Sequence, residues 1–122
     1  MGKLDAPDTH YISGAEGWLE LGDFESALAE LDLVSENCRE YFDVQQVRWH
    51  IHNRMEDWET CLVISLRMIE SNPEMPQGWI NHGNGLFNSV IRNTAELPED
   101  RFRIKSFRLY FRIYHLITTV FE

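Results

Sequence analysis

With 122 residues and 43% apolar composition, the chain has room for one domain or a short repeat array around a real core, and none for a second catalytic domain. Twenty acidic residues against 11 basic ones give a net charge of −9, which opposes phosphate backbones and anionic lipid; nucleic acid is not expected as a partner and a membrane is disfavoured. Cys38 and Cys61 are too few and too widely spaced for a disulfide framework or a zinc site, so a reducing cytoplasm is the expected setting, with no metal and no cofactor.

Residues 1–7 read as a tail without an apolar signal run, and Ala6 stands where a myristoylation motif calls for Ser or Thr. From there the chain repeats itself. LGDFESALAEL (Leu21 to Leu31) and MEDWETCLVIS (Met55 to Ser65) share apolar-x-Asp-aromatic-Glu-x-small-Leu at an offset of 34, and the same step from Cys61 reaches Ala95. Units are therefore expected at 8–41, 42–75 and 76–97, the last incomplete. Apolar residues recur at helical spacing within a unit, as in Phe24, Ala27, Leu28, Leu31 and Val34, so each unit is expected to be two antiparallel helices.

Turns are predicted near Gly22, Glu56 and Arg92. Gly22 suits a left-handed helix end and Asp23 suits an N-cap, whereas Glu56 must serve where Gly is easiest. Pro73 and Pro76 mark the exit of the second unit, because neither can continue a preceding helix.

The 34-residue period, the Leu-Gly-Asp-Phe-x-x-Ala-Leu run of Leu21 to Leu28, the Trp79-x-x-His82-Gly83-x-x-Leu86 run and Pro73 together resemble the tetratricopeptide repeat (TPR) family. The chain is similar to small bacterial proteins of that kind. The resemblance covers roughly residues 8–97 and implies an all-α, α-solenoid fold of helical hairpins that binds protein or peptide. Trp49 departs from it, standing where the family has a small residue. Members that clamp a C-terminal carboxylate use Lys and Asn; the matching positions here hold Ile12, Glu16 and Val47.

Residues 98–122 differ in charge from everything before them. Residues 1–100 hold 6 basic and 19 acidic residues, and residues 101–122 hold 5 and 1. Arg101, Lys105, Arg108, Arg112, His115, Thr119 and Glu122 form one polar stripe at helical spacing, which predicts a C-terminal amphipathic capping helix started by Pro98. It is too charged to span a bilayer. This helix is expected to lie on the acidic repeat surface of its own chain or a neighbour's.

No enzyme emerges from the inventory. His50-x-His52 on a helix points its imidazoles about 200° apart, which does not suit one metal. Neither cysteine has a paired base, and Asn81-His82-Gly83-Asn84-Gly85 lacks the order and the lysine of a phosphate loop; close helix packing at Gly83 is expected instead. The four tryptophans are read mostly as core. The leading expectation is a non-catalytic scaffold or adaptor with a basic or amphipathic protein or peptide partner, touched by Glu16, Trp49, His52, Asn81, Asn84, Arg108 and Arg112. Two alternatives are a homo-oligomeric assembly module joined through the C-terminal helix and a membrane-surface protein anchored by it.

Overall fold

In the computed structural model, which describes residues 4–94 together with Arg112, His115 and Thr119, every regular element among the described residues is helical. The elements are α1 (Asp8–Glu20), α2 (Phe24–Leu31), a single 3-10 turn at Glu36–Cys38, α3 (Phe42–Arg54), α4 (Trp58–Ser71) and α5 (Pro76–Thr94). The starts of α1, α3 and α5 stand 34 residues apart, and so do those of α2 and α4. The chain divides into two compact units, one ending at Asp57 and one beginning at Trp58.

The first unit is a helical hairpin, α1 and α2, with α3 packed on both. Its hinge is the turn at Gly22, whose φ of +79° is the left-handed conformation that costs Gly nothing sterically. The Gly22 N–H donates to the Leu19 carbonyl at 3.0 Å and the Asp23 N–H to the Trp18 carbonyl at 3.0 Å, which closes a helix end of the Schellman type. Asp23 then caps α2, its carboxylate accepting from the Ser26 N–H at 3.0 Å and the Ser26 hydroxyl at 2.7 Å. After α3 the same bonds recur one period later: the Glu56 N–H donates to Asn53 at 3.1 Å and the Asp57 N–H to His52 at 2.9 Å. Glu56 takes φ +59° to make them, so a residue with a Cβ sits in the glycine conformation.

The core of this unit joins Ile12, Ala15, Ala27, Leu31, Val34, Val44, Val47 and Ile51. Val34 belongs to it although α2 stops at Leu31. The segment tightens into i to i−3 bonds, Leu33 to Glu30 and Val34 to Leu31, and Arg39 donates to the carbonyls of Asp32 and Val34 at 3.1 and 3.3 Å. Asp8, buried at the start of α1, accepts the Ser35 N–H at 2.9 Å and fixes the far end of that segment. That bond holds the Asp8 carboxyl below its usual range, against the opposing effect of burial.

In the second unit α4 and α5 pack together. The helices come close at two glycines: a Cβ on Gly78 would stand 3.3 Å from the Ile69 backbone nitrogen, and one on Gly85 3.2 Å from Leu62. Close packing was expected at Gly83; these contacts are at Gly78 and Gly85. Pro76 opens α5 at the first helical position, where a missing N–H costs nothing.

The expected turn around Arg92 is not formed, because α5 runs unbroken to Thr94. One period after Glu56 the chain offers Val90, a β-branched residue for which a left-handed φ is more costly still. Ala95 and almost all of the expected C-terminal helix, Arg108 included, lie outside the described residues. Arg112, His115 and Thr119, spaced three and four apart, are helical and exposed, and the Thr119 hydroxyl donates to the His115 carbonyl at 2.7 Å.

Candidate binding groove

The first unit carries an open groove of about 450 Å³ on α1 and α3, lined by Leu4, Thr9, Ile12, Ser13, Glu16, Asp43, Gln46 and Val47. Three pairs of lining residues are related by the 34-residue step: Thr9 with Asp43, Ile12 with Gln46, and Ser13 with Val47. Equivalent turns of two successive helices therefore form the walls. Ile12 and Val47, 9% and 6% exposed, are the floor because each also belongs to the core. Thr9, Ser13, Glu16 and Asp43 are exposed and form the rim.

His50 stands one period after Glu16. Its Nε2 lies 3.1 Å from the Gln46 amide nitrogen, and its ring meets that of Trp49 edge-on at 5.4 Å. Burial lowers its proton affinity while Glu16 raises it, with burial the larger effect, so His50 stays neutral at pH 7.

Of the residues expected to touch a partner, Glu16 lines this groove. Trp49 is 4% exposed and packed inside. His52 serves its own turn, with Nδ1 3.1 Å from the Asp57 carboxylate while its carbonyl accepts the Asp57 N–H. Asn81 is buried, accepting from Gln77 at 2.8 Å and donating to the Met68 sulfur at 3.7 Å. Asn84 is half-buried on α5, and Arg112 is exposed. The set is thus not one surface: Glu16, Trp49 and His52 belong to the first unit, Asn81 and Asn84 to the second. Sequence reasoning missed Thr9, Ser13, Asp43 and Gln46, which stepping 34 residues along the Ile12 and Glu16 face would have found. Among the tryptophans Trp18 and Trp79 are exposed rather than core.

Two arrangements with chemical potential resolve into structure. His50 and His52 have separate partners, and among the described residues no group of three or more His, Cys, Asp or Glu is placed to hold a metal ion. Ser65 Oγ lies 2.8 Å from His82 Nδ1, but it is fully buried and donates to the Leu62 carbonyl at 3.1 Å, so the pair ties α4 to α5 out of reach of a substrate. Burial lowers the proton affinity of His82 too, against a bond to the Leu62 backbone that raises it.

No protein-family model matches the chain, and no curated protein or solved structure matches it significantly. No helix among the described residues is long and apolar enough to cross a membrane.

Proposed function

We propose that this chain is a non-catalytic, cytoplasmic scaffold or adaptor that binds a protein or peptide segment on an α-solenoid of tetratricopeptide-like hairpins. The groove carries the reading: helices that start 34 residues apart present equivalent residues to one cleft, with a floor of Ile12 and Val47 and a polar rim. Repeated helical hairpins that bury one face and leave another concave commonly use the concave side for peptides. An immobilised peptide library screened against the full chain, with backbone NMR as the readout, tests it. Binders should shift the resonances of Ile12, Glu16, Asp43 and Val47, and Val47→Glu should abolish binding while retaining the helical circular dichroism signal. Binders that shift only other surfaces would sink the reading.

A second reading is self-assembly, favoured by Val63 and Leu66, which stand 53% and 47% exposed on α4. Light scattering decides it: a mass that falls to that of one chain on changing both to Ser supports assembly, and a monomer at all concentrations excludes it.

A further inference from the structure

We propose that the groove on α1 and α3 selects a short cationic peptide segment, with an apolar side chain seated on Ile12 and Val47 and an adjacent Lys or Arg reaching Glu16 and Asp43. This rests on the peptide-binding reading above and narrows it to a ligand class and a pair of specificity residues.

The charge of the lining is one-sided. Glu16 and Asp43 are its only ionised side chains, and none of the eight lining residues is basic. The nearest candidate for a compensating positive charge, His50 beside Glu16, stays neutral at pH 7 because burial disfavours its charged form. Arg48 and Arg54 are engaged elsewhere, Arg48 3.8 Å from Asp32 and Arg54 donating to the Leu19 carbonyl at 2.8 Å. A ligand carboxylate meets repulsion here and a ligand cation meets two acceptors.

Size sets the length that is read. From Thr9 to Glu16 the α1 wall advances about 10 Å at roughly 1.5 Å per residue, which is about three residues of extended ligand at roughly 3.3 Å each. The volume of about 450 Å³ falls within the usual range of ligand clefts. An extended segment places successive side chains on opposite sides, one towards the apolar floor and the next towards the acidic rim. The floor supplies affinity and the rim supplies selection, because partly exposed ion pairs add little energy individually but penalise the wrong sign.

The test uses the full chain and three labelled, end-capped pentapeptides: Leu-Arg-Leu-Arg-Leu, Leu-Gln-Leu-Gln-Leu and Leu-Glu-Leu-Glu-Leu, with fluorescence anisotropy for affinity and NMR for location. Glu16→Gln with Asp43→Asn is compared with Glu59→Gln and Glu70→Gln, exposed acids of α4 that change the net charge equally. The Arg peptide should bind, weaken about tenfold in the groove variant and less than twofold in the α4 variant, and the Glu peptide should not bind. Equal weakening in both variants, or a Gln peptide that binds as tightly as the Arg peptide, overturns the proposal. If the Gln peptide still shifts Ile12 and Val47, only the cationic preference falls; if no peptide shifts them, the peptide-binding reading falls with it.

Discussion

Glu56 adopts φ +59° in a turn whose first copy uses Gly22. Left-handed backbone costs an L-residue roughly 1–2 kcal/mol, part of which Gly gives back as extra freedom in the unfolded chain. Glu56→Gly should therefore stabilise the protein by about 0.5–1 kcal/mol in urea melts, and Gly22→Ala should destabilise it by a similar amount. At Ala27, fully buried in the first unit, a larger side chain has nowhere to go: Ala27→Leu should cost about 1–3 kcal/mol. An unchanged midpoint for Ala27→Leu would mean that the core is looser than described. His82 and His50 bind protons less readily folded than unfolded, so the unfolded chain gains protons first as pH falls. Stability is then undiminished at neutral pH and is lost as pH drops through about 6.5 and below. Melting temperatures between pH 7.5 and 5 should decline, and His82→Gln should flatten that decline. Asp8 and Asp23, held below the usual carboxylate range, lose their contributions only at more acid pH. Residue-level legibility followed sequence distance. Gly22 and Asp23 could be read because turn and cap chemistry is local, whereas the burial of Asp8 could not, because its partner Ser35 lies 27 residues away.

At the scale of elements, the hydrophobic period and the capping residues placed the helix starts well and the helix ends less well. Starts carry local marks such as Asp23 and Pro76. Ends depend on who takes the last carbonyls, and α2 stops early where Arg39 takes two of them. The missing turn in α5 has the same origin, since Val90 supplies neither the flexibility of Gly22 nor the straight side chain of Glu56. Arg54 is an element-joining residue that the sequence did not single out. It donates from α3 to the Leu19 carbonyl at the end of α1, and its guanidinium lies 5.6 Å from the Phe24 ring at the start of α2. Three helices meet on one side chain. Arg54→Ala should destabilise the first unit by about 1 kcal/mol. Hydrogen exchange should speed up at Gly22 and Asp23 in that variant, and unaltered protection there would show that the turn holds without it.

For the whole molecule, the repeat was legible and the site only in part. Glu16 was visible as an acid on the inner face of the first helix, but the cleft needs α3 beside α1, and packing of that kind is written in no single stretch of sequence. The recurring turn carries a further consequence for variation. Its closing bonds, Gly22 to Leu19 and Glu56 to Asn53, use backbone atoms alone, so the bend is specified by backbone geometry while the side chains around it are free to drift. The two five-residue stretches Leu19 to Asp23 and Asn53 to Asp57 are Leu-Glu-Leu-Gly-Asp and Asn-Arg-Met-Glu-Asp, with only the final aspartate in common. They are interchangeable joints with different finishes, and a lineage can rewrite one almost completely without moving the helices on either side.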